Sequence, residues 1–180
     1  MKPEIFFKNL SEISPSLDDF KLEYSLIADH LYGNFNVKKI GDSKYDTLEE
    51  DLICNYDLRR FLDGLLNFND KIIDLPECKL IGFMEADPLV IDRETKKIAI
   101  VYHDRDEYTI IFYAAENMDK FLDALFMALK FYSKFWLNRK KDYSSRESSL
   151  NNCLIAAGGA EFMDFWNAFL PVEYDNKNLV

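Results

Sequence analysis

The chain has 180 residues, of which 48% are hydrophobic and 15% aromatic, and its formal net charge is −10. This length and apolar content fit one domain with one core, and they exclude a disordered protein. All of the excess acid lies in residues 1–120, which hold 25 acidic and 15 basic groups, whereas residues 121–180 hold seven of each. Such a charge disfavours binding to nucleic-acid phosphates and favours a basic partner.

The first third of the chain predicts helices separated by a polar passage. Residues 14–16, Ser-Pro-Ser, are typical of a helix start, and apolar residues then recur at helical spacing until Gly33. Residues 35–40 are compatible with a short strand. Helical spacing returns over residues 47–67, where Thr47 and Glu50 match the capping-box pattern, and Gly64 weakens the distal part of this helix.

The middle of the chain predicts an antiparallel meander. Four short runs rich in β-branched and aromatic residues are separated by connectors of hairpin length: residues 79–84, 87–92, 97–103 and 108–113. An amphipathic helix of about five turns then extends from Met118 to the region of Asn138, with Asn117 as its cap. We expect this helix to cover one face of the sheet.

The last part of the chain predicts a loop and two further helices. Residues 138–149 are charged and rich in serine, and Ser148 or Ser149 can cap an apolar stretch over residues 150–157. Two adjacent glycines interrupt the pattern before a final short helix at residues 160–170. The predicted fold is therefore a single α+β domain over residues 1–180, with a mainly antiparallel sheet of four to six strands packed by several helices.

The three cysteines, Cys54, Cys78 and Cys153, are odd in number and widely separated. This spacing fits neither a disulfide framework nor a metal motif, so we expect buried or incidental thiols in a reducing compartment. No run is long enough for a secretion signal or a membrane span. The sequence therefore predicts a cytoplasmic protein with no membrane contact.

Residues 75–138 also carry a family resemblance. A strand containing Gly82 is followed by the turn Ala86-Asp87-Pro88 and by an apolar strand that ends in Asp92. A hairpin with His103-Asp104 comes next, and the closing helix contains Phe121-Leu122. This order resembles the core of the SUKH superfamily, which comprises bacterial immunity proteins and eukaryotic cell-wall regulator relatives.

The resemblance implies a non-catalytic immunity protein that binds one toxin domain and blocks its active site. In that superfamily the toxin is often a nuclease, and an acidic inhibitor suits the basic surface of a nuclease. The eukaryotic relatives imply an alternative, an intracellular regulatory scaffold with a different partner. We expect neither a cofactor nor a metal from either function.

An enzyme is the weakest of the three hypotheses. The chain has no Gly-rich phosphate loop and no Gly-x-Ser-x-Gly nucleophile motif. Hairpin geometry could gather one cluster of titratable residues at a sheet edge: Asp87, Asp92, His103, Asp104, Asp106 and Glu107. Such a set could hold a divalent metal in a hydrolase, but Asp is also common in turns because it binds local backbone groups.

The acidic residues themselves give the candidate binding surface. We predict that carboxylates of the second helix and of the third hairpin turn form an acidic, partner-binding face: Glu49, Glu50, Asp51, Asp57, Asp63, Asp104, Asp106 and Glu107. The alternative is an ordinary solvated surface. If the face binds a basic toxin, its carboxylates would take the place of substrate phosphates.

Overall fold

The computed structural model describes residues 1–59, 61–62, 65–104, 107–137 and 143–171. It confirms the predicted α+β class, with a five-stranded antiparallel sheet and a separate two-stranded sheet. The strands are β1 (Lys38–Lys39), β2 (Tyr56–Asp57), β3 (Asn67–Asp74), β4 (Cys78–Met84), β5 (Asp87–Asp92), β6 (Ile98–Val101) and β7 (Ile110–Ala115). The helices in the described ranges are α1 (Pro3–Ile13), α2 (Leu17–Glu23), α3 (Ala28–Gly33), α4 (Leu48–Asn55), α5 (Met118–Leu137), α6 (Arg146–Ala157) and α7 (Met163–Phe169), with a 3-10 turn at Ala160–Phe162 before α7.

The N-terminal region contains one more helix than predicted, α1. Pro3 occupies the first turn, where its missing N–H costs nothing, and Phe6 and Leu10 are fully buried at i and i+4 spacing. The helix ends at Ile13 because Ser14 precedes Pro15 and adopts the extended backbone that this position favours. This 11-residue helix was not predicted from the sequence.

The helix predicted over residues 17–33 is divided into two. Ser16 caps α2 through a capping box with Asp19, which confirms the predicted start. However, α2 ends at Glu23, and the N–H of Ile27 donates to the carbonyl of Tyr24 to close a turn before α3 begins. The buried anchors of this α2–α3 unit are Phe20, Ala28 and Leu31.

The helix predicted over residues 47–67 was too long. The backbone N–H of Glu50 donates to the Thr47 hydroxyl at 3.4 Å, so the predicted cap is present, but α4 ends at Asn55. Tyr56 and Asp57 then pair with β1, and residues 67–74 pair with β4. The apolar residues that had indicated a helix, including Phe61 and Leu66, are buried in the core without being helical. Gly64 lies outside the described residues.

The central sheet has the order β3-β4-β5-β6-β7, and every neighbouring pair is antiparallel. The four predicted strands correspond to β4 to β7, and β3 is the additional edge strand. Gly82 is required where β3 pairs closely with β4, because a Cβ at this position would lie 2.3 Å from the carbonyl oxygen of Asn67. Strand β3 was missed because its Asn and Asp residues have low β propensity.

Helix α5 lies at the centre of the core. Its buried residues share one cluster with Leu89, Ile91, Ile98 and Ile100 of the sheet, as the amphipathic spacing predicts. Helix α7 closes this core, because Trp166 donates from Nε1 to the carbonyl of Ala114 at 2.8 Å. The opposite face of the sheet holds a smaller cluster of Cys78, Val90, Ala99 and Val101, with the Tyr108 ring packed against it.

Two further predictions concern the state of the three cysteines and the absence of a membrane-spanning segment. Cys78 and Cys153 are buried, Cys54 is exposed, and none of them is in a disulfide. Burial raises the pKa of Cys153 to about 12, so this thiol is unreactive at neutral pH. Over the described part of the chain, no helix combines the length and the apolar character that a membrane span needs.

Candidate functional site

The predicted acidic residues of α4 lie at its N-terminal turn, and two of them have partners within the protein. Glu49 forms an ion pair with Lys79 at 3.1 Å, and only 12% of its side chain is exposed. Asp51 accepts a hydrogen bond from Asn55 at 2.8 Å. Glu50 has no ion pair with a described basic residue. The negative charges also stabilise α4 through its dipole, so part of this acidity has a structural role.

Asp57 is at the end of β2 and forms a bidentate ion pair with Arg59. The two bonds, from Nε and Nη2 of Arg59 to the carboxylate oxygens, measure 2.7 and 2.6 Å. The guanidinium lowers the pKa of Asp57 to about 2, and the carboxylate stays ionised at any physiological pH. Arg59 is exposed, so solvent screens this pair and it contributes little to stability.

The Asp57–Arg59 pair lies between two open cavities. The larger, of about 1000 Å³, is bordered by the α2–α3 unit on one side and by β1 and the pair on the other. The smaller, of about 350 Å³, includes Ile40, Cys54 and Tyr56. We call the larger cavity the cleft; its described lining is Leu17, Asp29, Tyr32, Gly33, Asn36, Lys38, Asp57 and Arg59. The walls of the cleft are mainly polar and the cleft is open to solvent. These properties fit contact with another macromolecule better than they fit enclosure of a small substrate.

The other predicted acidic residues are separated from α4. Asp104 and Glu107 are exposed in the turn between β6 and β7. Antiparallel pairing places that turn at the end of the sheet where β4 finishes, whereas Lys79, the partner of Glu49, is near the start of β4. Five residues of strand separate these ends by about 17 Å. Asp63 and Asp106 lie outside the described residues.

The predicted titratable cluster is divided between the two ends of β5. At one end, Nδ1 of His103 lies 2.6 Å from Oδ1 of Asp87, and the backbone N–H of His103 donates to the same oxygen. This hydrogen bond to a carboxylate raises the pKa of His103, although the ring is half exposed. Asp104 is the next residue, so only part of the predicted set lies here.

Asp92, at the other end of β5, has a different environment. It is buried and accepts hydrogen bonds from the Thr95 N–H and hydroxyl and from the Tyr108 hydroxyl. Burial acts to raise its pKa, but these three bonds outweigh it, and the pKa lies below the ordinary value. Asp92 thus closes the β5–β6 turn. Within the described ranges, no three His, Cys, Asp or Glu side chains are placed to hold a metal ion.

One group of exposed residues was not recognised from the sequence. We call Leu22, Leu26 and Ile27 the aliphatic corner; they are 76%, 98% and 50% exposed, at the turn between α2 and α3. Leu22 and Ile27 belong to the apolar pattern that predicted one helix up to Gly33, but the structure exposes both. A signal was present, because Leu22 lies two residues, about 200°, from the buried Phe20 on a helix, so the two cannot share one face.

No family model, no curated protein and no solved structure shows a significant match to the chain.

Proposed function

We propose that this protein is a non-catalytic immunity protein that binds and neutralises a toxin domain with a basic surface. The resemblance of residues 75–138 to the SUKH core gives the class of function. The charge distribution gives the chemistry of the partner, because a net charge of −10 favours encounter with a positively charged protein.

The observation that carries this proposal is the acidity of residues 42–51, which lie in the chain between Ile40 and Ile53, two residues that line the smaller cavity. This segment, the acidic segment, contains five carboxylates and one lysine. Asn55 donates from its side chain to the carbonyl of Ser43 at 2.8 Å, which fixes the loop before α4 against the end of that helix. Tyr45 within the segment is 39% exposed and the neighbouring Ile40 is 64% exposed, so this region combines charge with accessible apolar surface.

These features together support a mechanism of steric and electrostatic blockade. Carboxylates of the acidic segment accelerate the encounter and occupy positions that substrate phosphates take on a nuclease-type toxin. Exposed apolar side chains then exclude water at the contact and slow dissociation. No covalent step is needed, and the ionised Asp57 keeps its charge at the junction of the cavities over the whole physiological pH range.

A regulatory scaffold is the alternative, and affinity separates the two functions. An immunity protein is expected to bind one toxin with nanomolar or tighter affinity in a one-to-one complex, whereas a scaffold binds several partners more weakly. The partner to test is the inactivated product of the gene adjacent to the one that encodes this chain.

The double variant Glu50→Gln, Asp51→Asn tests the role of the acidic segment. We expect the association rate with this partner to fall several-fold at low salt, and the difference to shrink in 0.5 M salt. The matched control is Glu147→Gln, Asp164→Asn, which removes two charges from the first turns of α6 and α7. Equal association rates for the double variant and the wild type would contradict the proposed mechanism.

A further inference from the structure

The aliphatic corner presents an amount of apolar surface that folding does not explain. A single exposed leucine is ordinary, but three large aliphatic residues within six positions form a patch. Leu26 is 98% exposed at a turn, where small or polar residues are the usual choice. The N–H of Ile27 closes the turn with the carbonyl of Tyr24, and the side chains of Leu26 and Ile27 at this turn are exposed to solvent.

Aromatic packing holds the α2–α3 unit beneath the corner. Phe20 is fully buried and stacks on Phe35 with ring centroids 6.2 Å apart, and Phe35 meets the edge of Trp136 in α5 at 5.6 Å. The α2–α3 unit is thus fixed to the core by residues on the side away from the corner. A partner would meet a preorganised surface, which lowers the entropic cost of binding.

The charges around the corner define its partner. Residues 17–33 contain three exposed carboxylates, Asp18, Asp19 and Asp29, and one exposed lysine, Lys21, which pairs with Asp18 at 3.9 Å. Glu23, also in this segment, has one buried carboxylate oxygen. An apolar centre with a charged rim is typical of binding hot spots. A second copy of this chain would bring the same negative charge to the contact, so self-association through the corner is opposed by repulsion. A basic partner with an apolar groove is complementary to it.

We propose that the aliphatic corner is a docking site for an apolar groove on the basic partner, beside the cleft and distinct from the predicted acidic face. This inference rests on the proposed immunity function and assigns the corner its part in it. Asp29 belongs to the cleft lining and follows Ile27 by two residues, in the first turn of α3, so one partner can contact both. The acidic segment governs association, and the corner governs dissociation.

The test measures binding of the inactivated product of the adjacent gene to wild-type protein, Leu26→Ser and the triple variant Leu22→Ser, Leu26→Ser, Ile27→Ser. The control is Ile155→Ser, which removes from α6 an aliphatic residue that is 77% exposed, close to the 76% of Leu22. We expect Leu26→Ser to raise Kd about tenfold through faster dissociation, with a larger effect in the triple variant. The effect should persist in 0.5 M salt, because the contact is apolar. Thermal midpoints of all variants should match the wild type, since these side chains face solvent.

The outcomes separate the two proposals. Tight binding of the wild type with unchanged dissociation of the triple variant overturns the docking site and leaves the immunity function in place. Equal losses in Ile155→Ser and Leu26→Ser overturn it as well, because the effect is then not specific to the corner. Absence of any complex with the wild type overturns the immunity function and the docking site together. If light scattering shows a homodimer in the wild type that is lost in the triple variant, the corner mediates self-association. That result would overturn the proposal that the corner binds a basic partner.

Discussion

At the scale of single residues, the two ends of β5 show how one residue type, aspartate, takes different roles in different environments. Asp92 is buried and closes a turn through Thr95 and Tyr108, whereas Asp87 is accessible and holds the His103 ring. Sequence reasoning could place both aspartates at the ends of a strand. It could not separate their environments, because these depend on which neighbouring strand end faces each carboxylate.

The Asp87–His103 pair predicts a pH-dependent contribution to stability. The pKa of His103 is raised above its ordinary 6.5, because the Asp87 carboxylate stabilises the protonated ring. The stabilisation is therefore fully present below pH 6.5, the value in the unfolded chain, and is lost as the pH rises through the higher folded pKa. Asp87→Asn should lower the pKa of His103 towards 6.5.

The ring signals of His103 in an NMR titration measure this pKa directly, with a His30→Gln variant to assign them. The difference in the free energy of unfolding between wild type and Asp87→Asn should be larger just below pH 6.5 than at alkaline pH. Identical His103 titration curves in the two proteins would show that the carboxylate does not act on the ring.

At the scale of elements, the predictions that succeeded are those that local pattern and burial determine together. Helix α5 and strands β4 to β7 have long or alternating apolar patterns, and the structure contains them near the predicted bounds. The helix predicted over residues 47–67 failed, because core residues such as Phe61 and Leu66 happened to recur at helical spacing. The secondary structure of this region is determined by the pairing of β3 with β4 and of β2 with β1. Such pairing depends on distant parts of the chain and is not encoded in the local sequence.

Gly82 provides a prediction on how β3 is held. An alanine normally stabilises a strand relative to glycine, by about 0.5–1 kcal/mol. In Gly82→Ala, however, the new methyl group would meet the Asn67 carbonyl at 2.3 Å and force β3 away from β4. We expect the free energy of unfolding, from urea denaturation, to fall by about 1–3 kcal/mol.

Hydrogen exchange locates the effect of this substitution. The amides of β3 should lose more protection than those of β6, which lies two strands away from the contact. A Gly82→Ala variant that is more stable than the wild type would mean that β3 does not approach β4 as described.

At the scale of the whole molecule, we propose that the negative charge and the exposed apolar residues act on different steps of binding: the charge on association and the apolar residues on dissociation. Charge patterning was visible in the sequence, so an acidic surface and a basic partner could be predicted. Two features could not be predicted: the division of the acidic residues between α4 and the β6–β7 turn, and the outward position of the aliphatic corner. Both depend on the direction of the chain between helices and on the register of the strands. The predicted face thus becomes two acidic regions at different ends of the sheet.

The most direct measurement is co-expression of this chain with the active product of the adjacent gene. We expect that product to arrest growth when expressed alone, and this chain to restore growth and to co-purify with it in a one-to-one complex. Toxicity that persists in the presence of this chain, with no complex recovered, would contradict the immunity function.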